Sequence, residues 1–162
     1  MTASPHSHQP SAFGVVRSVA AVSLALGGVL GLVGMGLPWF IFSSDLYHSE
    51  PSLLDGLLLI FTRGAWLLSA TALVFVVDAL ALICAYRLLR GTVTGSLLTT
   101  TGGLALISLI GTLGVDALAY FFQLEPPFII PRPGAGQVLS LAGFVAMVAG
   151  ALLWLFREQI NR

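Results

Sequence analysis

The sequence predicts an all-α protein, a bundle of four transmembrane helices with both termini cytoplasmic and a short interfacial helix in the first extracytoplasmic loop. Three observations carry this reading. Residues 18–42, 65–86, 97–122 and 137–156 form apolar segments of about the 20 residues that a helix needs to cross a hydrocarbon core roughly 30 Å thick. The 162-residue chain is 57% hydrophobic and 9% charged, with a mean hydropathy of +0.97, more apolar surface than a water-soluble domain can hide. Its cations also gather at alternate segment ends.

Residues 1–16 read as a polar tail and residues 17–162 as a single membrane domain, which leaves no length for a separate soluble domain. Net charge is zero, all seven cations are arginine, and there is no lysine. No global field therefore points to nucleic acid. The lysine-free, Ala/Gly/Leu-rich composition suggests a GC-rich bacterial genome. The single cysteine, Cys84, excludes the quinone-linked thiol oxidoreductases, which need a pair.

Taken in order, the tail MTASPHSHQPSA holds His6 and His8, two imidazoles without further ligands, and reads as a plain tail rather than a metal site. The first span follows Arg17. It is longer than a signal-peptide core and ends in Leu37-Pro38-Trp39-Phe40 instead of a small-residue cleavage site, so it reads as a retained helix. Ser23, Gly27, Gly31 and Gly34 recur at helical spacing and predict one flat face where another backbone can approach closely. Pro38 is expected to end this helix and Trp39 to sit at the interface.

In the first loop, Leu53–Phe61 (LLDGLLLIF) is apolar but too short to span. Ser52 with Asp55 makes a variant capping box, so this is the interfacial helix; a tilted extension of the second span is the alternative. Asp45, His48 and Glu50 share that loop and read as solvated rather than metal-ligating. The third span opens with Thr99-Thr100-Thr101-Gly102-Gly103. Threonine hydroxyls can bond back to carbonyls one turn earlier, and the run predicts a close helix contact, with an ion path as the other reading. The third loop, QLEPPFIIPRPGAG, has four prolines, which exclude a helix and favour an extended excursion. On the fourth span Ala142, Ala146 and Gly150 predict a second small-residue stripe.

Orientation follows from the arginines. Arg17, Arg87, Arg90, Arg157 and Arg162 fall on one side and Arg63 and Arg132 on the other, which predicts N-in, C-in in a bacterial cytoplasmic (inner) membrane.

Two carboxylates lie within spans, and an intramembrane carboxylate is costly and usually has a task. Counting from Ala65, Asp78 is placed about 20 Å below the outer end, in the cytoplasmic half, and Asp116 about 9 Å below it. Thr112 and Tyr120 lie at i−4 and i+4 from Asp116 and extend a candidate polar path of Asp78, Asp116, Thr112 and Tyr120. Asp78 shares its face with Thr71 and has no nearby cation in the chain. It must then be protonated, bonded to hydroxyls of a neighbouring helix, or paired with another subunit. No histidine lies in a span, and no nucleophile–base, zinc-ligand or phosphate-loop constellation is present, so no catalytic residue, cofactor or metal is expected.

These residues point to a structural role: an accessory or assembly subunit of a larger bacterial membrane complex, not an enzyme, with the lipid bilayer and other integral membrane subunits as partners and no nucleic acid. Its contact residues would be Asp78, Thr71, Ser23, Gly27, Gly31, Gly34, Ala142, Ala146 and Gly150. The alternative is a homo-oligomeric proton- or ion-coupled transporter or channel using Asp78. A membrane enzyme acting on a lipid or quinone through Asp116 and the first loop lacks any recognisable set of groups.

Overall fold

The computed structural model describes residues 12–44, 47–50, 52–54, 65–121 and 132–160. The expected interfacial helix at 53–61 falls mostly outside the described residues, as do His6, His8, Asp45, Asp55, Arg63 and residues 123–131 of the third loop. What is described is an all-α bundle of four helices: α1 (Ala12–Met35), α2 (Ala65–Arg90), α3 (Gly95–Phe121) and α4 (Ala135–Ile160). Each contains a stretch long and apolar enough to cross a membrane. The helices pack in the order α1–α2–α3–α4 around the bundle, and α4 also closes on α1.

The α1–α4 contact is the most extensive, and a seven-residue repeat explains it. Ala20, Gly27 and Gly34 on α1 meet Gly150, Gly143 and Gly136 on α4, in antiparallel order. A Cβ on Gly27 would lie 2.7 Å from the Gly143 carbonyl oxygen, one on Gly34 2.7 Å from that of Gly136, and one on Gly150 3.0 Å from that of Ala20. A strict heptad of small residues keeps one seam facing its partner along both helices, and the backbones touch where side chains would otherwise stand. Ser23 belongs to this seam, with its Cβ 3.0 Å from a Cβ built on Gly150.

The predicted flat face of Ser23, Gly27, Gly31 and Gly34 is therefore divided. Gly27 and Gly34 serve α4, whereas Gly31, with Gly28, serves α2. On α4 the seam runs through Gly136, Ser140, Gly143, Met147 and Gly150; Ala146 is half-buried and Ala142 is exposed on the outer surface. The four-residue spacing of Ala142, Ala146 and Gly150 drifts off the seam, because a packed face recurs every 3.5 to 3.6 residues.

Helix ends are satisfied by neighbouring helices. The first span stops at Met35, not at Phe42, because Gly36 and Leu37 bond back to the carbonyls of Val33 and Gly34 (3.1 and 3.3 Å) and Pro38 has no N–H to continue the ladder. The chain then forms β1 (Phe40–Ser44), which pairs antiparallel with β2 (Tyr47–Ser49) and with β3 (Arg132–Pro133), in the order β2-β1-β3. Pro133 lies on an edge strand, the place in a sheet that tolerates its missing donor. Just after β3, Gly134 N–H donates to the Trp39 carbonyl and Gly136 N–H to the Pro38 carbonyl, both at 2.8 Å. The turn leaving α1 thus caps the start of α4. Trp39, at this end of the bundle, is buried rather than exposed, with Nε1–H donating to the Gly34 carbonyl at 2.9 Å.

At the other end of the bundle α2 closes on Gly91, whose φ of +72° suits the left-handed position after a helix. Gly91 N–H donates to Leu88 O (3.0 Å) and Thr92 N–H to Arg87 O (2.9 Å), the paired bonds of a Schellman motif. The remaining carbonyl of Leu89 accepts from the Arg17 guanidinium, reaching across from α1. A cation at a helix C-terminus is favourable both as a donor and against the helix dipole. Replacing Arg17 by Gln is expected to lower stability by about 1–2 kcal/mol, read by SDS titration of the helical signal in mild detergent, and Lys should recover part of the loss.

Candidate functional site

Asp78 lies on α2 where that helix crosses the Gly28–Gly31 segment of α1. A Cβ on Gly28 would lie 2.9 Å from both the Asp78 carbonyl oxygen and Leu82 Cγ. A methyl group on Gly31 would overlap both carboxylate oxygens, the farther of them at 2.5 Å. The missing side chain of Gly31 is thus the space that the Asp78 carboxyl group occupies, and the Cα hydrogen in its place points at the carboxyl oxygens, a weak contact. Asp78 is fully buried, and neither oxygen has a hydrogen-bond partner among the described residues.

Within the bundle, the level of Asp78 follows from its contact with Gly31. Gly31 stands four residues before Met35, about 6 Å along α1 from the end that carries the sheet. Asp78 is also about 20 Å along α2 from Ala65, so α2 extends past the end of α1 on the sheet side. Asp78 sits toward the sheet end of the bundle, not the arginine end.

Polar groups on the other helices are buried as well. Ser140 of α4 faces Gly34, and a methyl group there would overlap its hydroxyl. The hydroxyls of Ser108 and Ser140 have no hydrogen-bond partner among the described residues, and Gln137 is buried one turn before Ser140. Farther toward the arginine end, Cys84 Sγ lies 3.2 Å from Thr101 Oγ1, and the Thr101 hydroxyl donates to the Leu97 carbonyl at 2.8 Å. The Cys84 thiol also reaches the Leu97 carbonyl, at 3.9 Å, so thiol, hydroxyl and carbonyl form one small cluster between α2 and α3. Gly102 packs against Ala151 of α4, with a built Cβ at 2.8 Å from the alanine Cβ. The middle of the Thr99–Gly103 run is accordingly a close contact with both α2 and α4, and Thr99 bonds back to Gly95 O at 2.9 Å, as threonines in helices do.

Of the residues expected to carry function, the fold brings Asp78 and Gly31 together, and it places Ser23, Gly27, Gly34 and Gly150 in the neighbouring seam. Thr112 turns its hydroxyl back to the Ser108 carbonyl at 2.8 Å. Thr71, Asp116 and Tyr120 lie on helices whose backbone is described there, but their side chains are not among the described ones. Counting outward from the Cys84–Thr101 pair, Asp78 is six residues along α2 and Asp116 fifteen along α3, a difference of about 13 Å in depth. The two carboxylates belong to separate levels.

Sequence reading missed Gly28, Gly136, Gly143 and Ser140. Gly136 and Gly143 were visible in the repeat Gly136–Gly143–Gly150, which matches Ala20–Gly27–Gly34 in period, whereas Gly28 lies outside both repeats. The serine carried no signal, since an isolated hydroxyl in a span is compatible with any face.

No family model, no curated protein and no solved structure matches the chain. Four helices among the described residues are each long and apolar enough to cross a membrane, which fits a small multi-pass membrane protein. Asp78 is the buried carboxyl group of its α1–α2 interface.

Proposed function

We propose that this chain is a structural subunit, accessory to or assembling a larger complex in a bacterial cytoplasmic membrane, and that it is not an enzyme. The observation that supports this best is the outer face of α3. A Cβ on Gly27, Gly28, Gly31 or Gly34 of α1, or on Gly136, Gly143 or Gly150 of α4, would come within 3.0 Å of another atom, whereas one on Gly103, Gly111 or Gly114 of α3 meets nothing within 4 Å among the described residues. These three fall on one side of the helix together with Ile107 and Ile110, which are 60% and 61% exposed. Glycine weakens a helix interior relative to alanine, and in spans its return is close approach by another helix. On α3 nothing among the described residues supplies that return, and the described α3 span is the least buried of the four, 22% against 33–44%. A span of another integral membrane protein is the occupant that fits. Both termini lie in the cytoplasm in this reading, with the arginine end inward.

The test is cross-linking in native membranes with a cysteine at Gly111 in a Cys84→Ala background. A defined adduct with a second membrane protein is expected. A chain that forms no adduct and purifies as a lone monomer in mild detergent overturns the proposal.

The competing reading, a homo-oligomeric proton- or ion-coupled transporter or channel, draws on one observation, the unpartnered oxygens of Asp78. Because that carboxyl group is sealed between α1 and α2, conduction would require those helices to part. Asp78→Asn separates the two readings. Loss of pH- or ion-dependent flux in liposomes with assembly intact favours transport; intact assembly with no flux in the parent protein favours the structural role.

A further inference from the structure

We infer that the arginine end of the bundle is a binding surface for anionic phospholipid headgroups, centred on the α1–α2 corner formed by Arg17, Arg90 and Gly91. Four guanidinium groups, those of Arg17, Arg87, Arg90 and Arg157, lie where α1 begins and where α2 and α4 end. In the sequence of those helix ends the only carboxylate is Glu158. Guanidinium keeps its charge at all accessible pH and offers a planar fork that matches phosphate oxygens, which ammonium does not.

Their placement suits headgroup depth rather than bulk water. Arg90 stacks over the Tyr86 ring, 4.6 Å from its centroid, and Arg157 over Trp154 at 5.3 Å. Tyr86 is 54% exposed on the outer face of α2, so its stack holds the Arg90 charge against the apolar belt, the level at which Tyr and Trp settle in membranes. Arg17 is fixed by its bond to the Leu89 carbonyl, and one of its terminal nitrogens would lie 3.3 Å from a Cβ on Gly91. Because Gly91 has no side chain, it leaves that guanidinium edge uncovered on its side, where a phosphate can approach. A pinned cation, an open approach and a second cation held at interfacial depth by an aromatic ring together form a headgroup seat. This inference does not depend on the structural-subunit reading.

The experiment measures quenching of Trp154 in the full chain, in a Trp39→Phe, Trp66→Phe background, by brominated phosphatidylglycerol and by brominated phosphatidylcholine of the same chain length. At low salt the anionic lipid is expected to be favoured about tenfold, and 0.5 M NaCl should erase most of that preference. The Arg90→Gln/Arg157→Gln double variant leaves the Arg17 cap on α2 in place, and helical content by circular dichroism confirms that it folds. Its preference is expected to fall at least threefold. Equal quenching by the two lipids in the parent protein overturns the inference, as does an unchanged preference in the folded double variant. Displacement of the anionic lipid by millimolar inorganic phosphate would show a site for free phosphate and would equally overturn it.

Discussion

Gly143→Val is expected to prevent the bundle from forming, with a loss of about 3 kcal/mol or more. The reason lies in what a side chain would strike. A Cβ at this position would stand 2.7 Å from the Gly27 carbonyl oxygen and 3.1 Å from the Gly31 amide nitrogen, both backbone atoms of α1. Flexible side chains can retreat by rotation, but helix backbone retreats only by moving the helix. Moving α1 away would open the 20/150 and 34/136 contacts together, because all three belong to one seam. SDS titration of the helical signal, together with the fluorescence of buried Trp39, gives the measurement. Gly103→Val serves as the control, since nothing lies within 4 Å of its Cβ, and it should leave the isolated protein within about 0.5 kcal/mol of the parent. Equal stability of the two variants would mean that the α1–α4 seam does not hold the bundle together.

The contrast between those two glycines shows how far the sequence was legible. Hydropathy alone locates four helices, because lipid as solvent demands segments of a set length and forbids unpaired backbone within them. Composition also marks the first span as glycine-rich, yet it cannot assign each glycine to a neighbour. Gly27 and Gly31 are four residues apart and look equivalent on a helical wheel, but a side chain on one would strike α4 and on the other the Asp78 carboxyl group of α2. Only the matching seven-residue period on the fourth span distinguishes them, and it emerges when two distant segments are compared rather than when each is read by itself. Gly103 and Gly111 carry the same composition signal as Gly27 and Gly143, and the fold leaves them facing outward.

The small sheet was hidden for a different reason. Phe40–Ser44 alternates too briefly to register as a strand, and its partner Arg132–Pro133 is a two-residue strand beside prolines. What fixes the pairing is the bonding of Gly134 and Gly136 to the Trp39 and Pro38 carbonyls, a tertiary constraint with no local pattern. The same junction turned Trp39 inward. An aromatic residue at the end of a span ordinarily settles at the lipid interface, and here the Gly34 carbonyl, which also accepts from Leu37 N–H, offers its indole N–H a partner inside the bundle.

Gly31→Ala, the second large effect, bears on the site itself. Its methyl group would overlap both Asp78 oxygens, so α1 and α2 would have to separate or the carboxyl group would have to rotate into space that the packed interface does not provide. A loss of about 2–3 kcal/mol is expected. Asp78→Ala alone removes a buried polar group that has no hydrogen-bond partner among the described residues and leaves a small cavity, two effects of opposite sign. Its net effect should lie within about 1 kcal/mol of zero. In the double variant the new methyl group takes the space the carboxyl group vacates, and most of the Gly31→Ala loss should be recovered. The interaction term of this cycle would be about 2 kcal/mol. It is measured by SDS titration of the four proteins under one set of conditions. Additive losses would show that Gly31 and Asp78 do not share that space, and the α1–α2 contact as described would then be wrong. Recovery of stability in the double variant also makes a clean reagent for the functional question. It is a folded bundle without its buried carboxyl group, so any flux it lacks relative to the parent belongs to Asp78 itself rather than to a collapsed helix interface.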